Sequence, residues 1–435
     1  MKGKSNSMIL DKIKLHAPEM VRMIPDEELS RLARETHVDY YSKVLSGERM
    51  FNLLLYAFVN TDRMSQRRLE VMFNSQQFKA MFNYAECLTV SRSSISTRLS
   101  KMNVSFFEKA YGLIYGRLSE LYKEREIGQM YLIRVDSSMV AEACNKLKKG
   151  FTIGKKSKGR EDRKQLKYTV AYDGFAAKLA EVFSKPTYLS EDKAMPEVLD
   201  GLIKKDKDHR NLYVLDRGLS AVDNYKKIDA GDAVFVGRVN TNRKMRVVRS
   251  LMAGQADKDL GKLELADDVI VHLYRNGKEE DPQEFRVVKA MFKNPTNTAR
   301  KSPSGSNRKK VESEVWFITN VTNEPGKLQL TPKEIAEAYR RRWDIEVFYR
   351  FLKQNLSFSH FMSTSENGIK VILYMTLITA MLIMIYKRLN DIGYTEAKFC
   401  FKLELEEWII ELNVAIRTGE RDHRRAMQAI RKRIP

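Results

Sequence analysis

The apolar residues of this chain change rhythm twice, and that change limits the folds open to it. Up to about residue 125 they recur at helical spacing, as in Leu29, Leu32 and Ala33, then Met50, Leu53, Leu54 and Phe58. Only Pro18 and Pro25 interrupt this region. From about residue 128 short strand-length runs take over. MYLIRVDSS (Met130 to Ser138) reads as a strand ending in Asp136, with Arg134 interrupting its apolar run. QLKYTVAYDG and KLAEVFSKPT suggest a hairpin about Asp173-Gly174. SEDKAMPEVLDGLI opens with a capping signature and continues as a helix. NLYVLDRG reads as a strand ending in Asp216, and AVFVGRVN as a further strand. Hairpin strands mixed with helices indicate an α/β domain with a mixed sheet. Residues 241 to about 330 hold short β-like runs between charged turns, and NPTNTARKSPSGSN (Asn294 to Asn307) reads as a loop. At Thr331 the helical period returns, with Thr331 as N-cap and Pro332 at the first helical position.

The chain has 435 residues, with 77 Lys and Arg against 56 Asp and Glu, a formal charge of +21. That excess fits a polyanionic partner, with a merely basic protein as the plain alternative. Cys87, Cys144 and Cys400 are far apart and odd in number, so they suggest neither a disulfide framework nor a zinc site, and a reducing cytosol suits them. Met1 to Ile9 lacks the apolar stretch of a secretory signal. Val371 to Tyr386 is apolar, but its 16 residues fall short of the roughly 18–20 a membrane span needs, so it is expected to be a buried core helix.

Two strand-end aspartates can act as rigid ligands for divalent cations, although a single such residue is more often a turn or cap residue. The helix from Thr331 adds Tyr339, Arg342, Glu346 and Lys353. On one continuous helix these lie within about 60° of one another. A carboxylate between two cations is kept ionised, while Arg, Lys and Tyr suit phosphates and bases. The plain alternative is a surface helix with an Arg342–Glu346 ion pair. Asp344 is an alternative acid that points away from Glu346.

The pattern Y-x2-R-x3-E-x6-K, here Tyr339, Arg342, Glu346 and Lys353, resembles the signature of DDE transposases of the bacterial insertion sequence 4 family. The surrounding RRWDIEVFYRFLK is similar to that family as well. The resemblance covers roughly residues 128 to 390. It implies a ribonuclease-H-like mixed sheet core with a β-rich insertion, flanked by helical N- and C-terminal regions. Asp136, Asp216 and Glu346 would then be the catalytic triad holding two Mg²⁺ ions, or Mn²⁺. Tyr339, Arg342, Lys353 and Arg238 would contact DNA. Trp316 would stack at the cleaved end, with a core position as its alternative.

On this reading residues 1–125 bind the DNA end, 126–240 begin the catalytic core, 241–330 are the insertion, 331–390 complete the core, and 391–435 form a basic C-terminal region. LTVSRSSISTRLSKM (Leu88 to Met102) resembles the second half of a helix-turn-helix, with Ile95 and Leu99 inward and Arg98 toward DNA. An ordinary amphipathic helix is the equal alternative. The implied function is cutting and joining of transposon ends, with terminal inverted repeats and target DNA as partners. A homodimer on DNA in a bacterial cytoplasm, at the nucleoid and off the membrane, is implied too. A nuclease of the same fold without strand transfer, or a non-catalytic DNA binder, are the rivals. The charge is concentrated in Lys146 to Lys167 (+8), Lys293 to Lys310 (+6), Tyr339 to Lys353 (+3) and Arg417 to Arg433 (+5), leaving the rest near neutral. Lys155, Lys156, Lys158 and Arg308 to Lys310 are the candidate DNA track in the first two.

Overall fold

The computed structural model describes residues 16–21, 26–122, 124–141, 147, 149–152, 164–254, 257–274, 283–294, 297–301, 307–311 and 313–417. Two compact units emerge. One comprises Met1–Tyr122, Val140–Gln165 and Phe348–Pro435, the other Lys123–Met139 and Leu166–Val347.

The first unit is helical. Its elements are α1 (Ala17–Val21), α2 (Asp26–Thr36), α3 (Gly47–Asn60), α4 (Gln66–Asn74), α5 (Gln76–Phe82), α6 (Arg92–Lys101) and α7 (Val104–Tyr122). Ser46, Ser65, Ser75 and Ser91 each cap the helix that follows by accepting a backbone N–H. Ile95 and Leu99 of α6 are buried, as their spacing predicts. The connection Asn83–Ser91 that leads into α6 is longer than the 3–4 residues of a helix-turn-helix turn.

The second unit is built on a sheet. Its strands are β1 (Tyr131–Ala141), β3 (Lys164–Tyr172), β4 (Ala177–Phe183), β5 (Asn211–Leu215), β6 (Val234–Val239), β7 (Met245–Ser250), β8 (Leu263–Leu273), β9 (Glu284–Phe292) and β12 (Glu314–Thr319); the two-residue strand β2 (Phe151–Thr152) falls in the first unit together with the start of β3 that it pairs with. The order runs β4-β3-β1-β5-β6-β12-β9-β8-β7, with β2 also on β3. β1, β5 and β6 are parallel, and β3 and β4 form the antiparallel hairpin at Asp173-Gly174. A hairpin beside the central strand, then two parallel strands, is the ribonuclease-H-like order. The insertion strands extend this same sheet, because β12 pairs antiparallel with both β6 and β9. Helices α8 (Glu191–Ile203) and α9 (Val222–Ala230) cover one face through Met195, Val198, Tyr225 and Ile228. Helix α10 (Pro332–Arg340) covers the other through Ile335, Ala336 and Ala338.

Several expectations change in detail. β1 does not end at Asp136 but continues to Ala141. Only its ladder with β5 ends there, at Val135 opposite Leu215. The expected loop at 294–307 contains strand β10 (Asn297–Lys301), which pairs with β11 (Asn307–Val311). Backbone pairing therefore overrides its turn-rich composition, and Arg308 to Lys310 lie on β11. Ser190 precedes α8 without a side-chain cap, whereas Thr331 forms a full capping box with Glu334.

The apolar stretch lies in α12 (Glu366–Asn390), followed by α13 (Tyr394–Arg417). By length and composition α12 could cross a membrane, yet most of its apolar window is buried inside the first unit, against α3, α6, α7 and α13. Ile378 on α12 is fully buried. Ile378→Ala should therefore cost about 2–5 kcal/mol of stability, measured as a lower denaturant midpoint for the full chain.

Candidate active site

Side chains alternate along β1, so Leu132, Arg134 and Asp136 share the face covered by α10, while Ile133, Val135 and Ser137 face α8. Asp136 is the first residue beyond the β1/β5 ladder, and Asp216 is the first beyond β5. The end of the parallel ladder thus brings the two aspartates side by side.

The signature segment is not one helix. α10 stops at Arg340 and α11 (Trp343–Asn355) begins after two intervening residues, Arg341 and Arg342. Between them Arg342 N–H donates to the Tyr339 carbonyl, and Ile345 N–H to that of Arg342, tightening the chain to three-residue turns. The expected single stripe is therefore divided between two helices. No Gly or Pro causes the break. Its structural partner is Arg134, whose Nε donates to the Arg341 carbonyl at 3.2 Å.

Arg134 is a buried, fully partnered cation of the second unit. It is 1% exposed. Its Nη1 and Nη2 grip both oxygens of Glu126, at 2.7 and 2.6 Å. Nη2 also reaches Asp344 at 2.9 Å, and Nη1 the Leu132 carbonyl at 3.0 Å. Glu126 in turn accepts from Arg341 at 2.7 Å. Burial works against the charge of Arg134, but the Glu126 pairing prevails and its pKa is raised. Gly174 sits beside this clamp at a φ of +99°, which its turn requires, and a Cβ there would stand 3.3 Å from Arg134 Nη1.

The break turns Arg342 into the aspartates. Its Nη1 lies 3.1 Å from Asp136 Oδ2 and 3.6 Å from Asp216 Oδ1, while Nη2 donates to Glu346 Oε1. One guanidinium thus faces all three carboxylates. Burial pushes the Asp136 carboxyl up to about 7, with Arg342 opposing that rise and Asp216 adding to it. The pKa of Arg342 is raised despite its burial, with Tyr339, Asp136, Asp216 and Glu346 all favouring its charge. Tyr339 lies with its ring centroid 5.9 Å from the Arg342 guanidinium and 5.4 Å from the Phe317 ring. Its phenol is raised, chiefly by burial.

Among the described residues, no three His, Cys, Asp or Glu side chains stand close enough together to hold a metal ion. The donor chemistry nevertheless suits a hard cation. Three carboxylates from three elements meet on one positive centre.

The other candidates occupy varied places. Arg238 is half-buried on β6, opposite Phe317 in register. Trp316 is half-buried on β12, packed against the core, with the Lys289 ammonium 5.2 Å from its ring. Lys353 lies in the last turn of α11. Arg98, in the first unit, donates to the carbonyls of Leu45 and Val38, at 2.7 and 2.6 Å, and so fastens the segment before α3. Lys155, Lys156 and Lys158 lie outside the described residues, as does nearly all of the basic tail after Arg417. Sequence reasoning missed Glu126 and Glu191. Nothing in their spacing marks them, and only the register of β1 brings Glu126 to Arg134 and Glu191 to Ser137.

A ribonuclease-H-like sheet carries this acid-and-arginine cluster at the end of its parallel ladder. Residues 128–382 match the family described as a transposase DDE domain. That is more than half of the chain, which belongs to this family. A candidate transposase for insertion sequence element IS4SA of Synechocystis sp. is 30% identical over 127 residues, 25% of this chain and 38% of that protein. A candidate transposase, y4zB, of Sinorhizobium fredii is 25% identical over 187 residues, 43% of this chain and 46% of that protein. The matches thus span less than half the length of these curated relatives. The chain is also similar to the piggyBac transposase in its synaptic complex with hairpin DNA, with TM-score 0.45, 10% identity, and coverage of 95% of this chain and 84% of that one. The Mos1 mariner paired end complex with Mn gives TM-score 0.14 at 14% identity, covering 52% and 77%.

Arg134→Met should leave Glu126 and Asp344 without their shared cation. The expected loss is about 3–5 kcal/mol, as for a broken buried pair, checked by denaturant unfolding of both proteins.

Proposed function

We propose that this chain is a DNA transposase that cuts and joins transposon ends by two-metal phosphoryl transfer. The observation that carries the reading is the meeting of Asp136, Asp216 and Glu346 around Arg342 at the end of the β1/β5 ladder. These three carboxylates would hold two Mg²⁺ ions, or Mn²⁺, which when bound would activate the attacking oxygen and stabilise the leaving one. The remaining tasks fall to the chain itself. Arg342, relieved of its carboxylates, would turn its planar donors to phosphate oxygens. Tyr339, Arg238 and Lys353 would grip the neighbouring phosphates, and Trp316 would stack on a base at the cut end. Water would hydrolyse one phosphodiester bond of the first strand, and the freed 3′-hydroxyl would then attack a phosphorus of the target strand and displace that strand's own 3′-oxygen, without a covalent protein intermediate.

Residues 1–125 would bind the terminal inverted repeats, and a homodimer would hold two ends together. In the first unit, the exposed Ser93 and Thr97 of α6 would be open to DNA, while Arg98 would support the helix. The basic stretches Lys146 to Lys167, apart from the buried Lys167 itself, and Lys293 to Lys310 would line the DNA path.

Asp216→Asn and Glu346→Gln should each abolish Mg²⁺-dependent cutting of a duplex bearing the element end while leaving its binding intact. Gel assays of cutting, joining and mobility shift read all three steps, and full cutting by either variant would sink the proposal. Cutting without joining would favour the nuclease alternative. Replacing Lys155, Lys156 and Lys158 together by Ala should weaken binding to any DNA sequence. It should also flatten the slope of log affinity against log salt by about 2–3, near 0.9 per lost phosphate contact. An unchanged slope would remove these lysines from the track.

A further inference from the structure

Ser137 joins the catalytic strand to the start of α8. Its backbone N–H donates to Asp136 Oδ1 and its hydroxyl to Glu191 Oε2, both at 2.8 Å. The same hydroxyl shares a hydrogen bond with Thr169 Oγ1 at 2.8 Å. The other Glu191 oxygen lies 2.8 Å from Lys167 Nζ. Lys167 is 1% exposed, and its ammonium also donates to the Leu189 carbonyl at 3.0 Å. A buried ammonium therefore fixes the direction of Glu191.

The stem of Glu191 lies on the turn that carries Asp216. A Cβ at Gly218 would stand 2.6 Å from Glu191 Cγ and 3.0 Å from its Cβ, so only glycine fits. Gly218 N–H donates to Asp216 Oδ2 at 3.3 Å. Each aspartate is thus held by the N–H of a residue that rests on Glu191. The next residue, Asp192, fastens the same turn by accepting from Ser220 N–H and hydroxyl, Ala221 N–H and the Asn224 amide.

We propose that Glu191, seated on Lys167, is a positioning residue that sets the separation of Asp136 and Asp216 and with it the affinity of the site for divalent cations. The inference rests on the metal-dependent reading above. It needs no contact between Glu191 and an ion. Mg²⁺ demands near-ideal geometry, so a small displacement of either aspartate weakens its binding.

The test is Mn²⁺ binding to the full chain without DNA, followed by loss of the free-ion paramagnetic resonance signal, with thermal unfolding to confirm folding. Glu191→Ala and Gly218→Ala should each weaken binding by about tenfold to a hundredfold. The double variant should bind no worse than Glu191→Ala alone, because the new methyl then has no stem to strike. Glu191→Gln keeps that stem and an acceptor for Ser137, and should bind more tightly than Glu191→Ala. Wild-type affinity in both single variants, or fully additive losses in the double, overturns the brace while Asp216→Asn remains deficient. If Asp216→Asn binds Mn²⁺ like the wild type, the metal reading falls and the brace falls with it.

Discussion

The guanidinium buried beneath β1 is the constraint on which the site's geometry rests. Arg134 cannot remain charged there without partners, since burial of an unpaired cation is very costly. It takes them from three directions: the Glu126 carboxylate, the Asp344 carboxylate and the Arg341 carbonyl. The last two belong to the helix break. Because side chains alternate along a strand, Arg134 and Asp136 face the same way two residues apart. Fixing the break on Arg134 therefore fixes what meets Asp136, which is Arg342, whose guanidinium also holds Glu346 one turn later.

This arrangement explains which parts of the site were legible in the sequence. The spacing of Tyr339, Arg342, Glu346 and Lys353 marked the segment whose Arg342 meets the two aspartates, and the strand-like runs before Asp136 and Asp216 marked the end of the parallel ladder. Helical geometry supplied a wrong detail, a single uninterrupted stripe. The segment contains no Gly or Pro to announce a break, because the contact associated with it comes from Arg134, 207 positions earlier. Arg134 itself looked out of place in an apolar strand. Its oddity was the visible trace of the clamp, but the identity of its partners was not visible. The end of β1 was misplaced for a related reason. Pairing with β5 stops at Val135, while the strand continues beyond the residue that ends the parallel ladder.

Glu191 shows the limit from the other side. Its position after Ser190 suits the first turn of a helix, where acids are favoured by the dipole, and α8 does begin there. That local role is sufficient to explain the residue, so nothing in the sequence prompted a second one. The second role depends on Ser137 pointing to the face opposite Asp136 and on the absence of a side chain at Gly218. Both are matters of register and turn shape across separate elements, which local patterns do not encode.

The charge of +21 must also be divided between cations that hold the fold and cations available to a partner. In the signature segment Arg340 and Arg341 pair with Glu337, Arg341 also with Glu126, and Arg342 with the three site carboxylates. Most of the local cationic surplus is therefore committed within the protein. Three carboxylates brought this close repel one another unless a cation stands among them. Arg342 supplies that cation from within the chain, and its spacing of four residues from Glu346 suits the pairing. On the proposed function, a residue that balances the carboxylates in the folded protein would be released when divalent cations take over that task, just where a phosphate would be held. On that same proposal, the arginine of the signature would serve first as counterion to the site and then as ligand to the substrate, and the long-range attraction of DNA would fall to the basic stretches outside it.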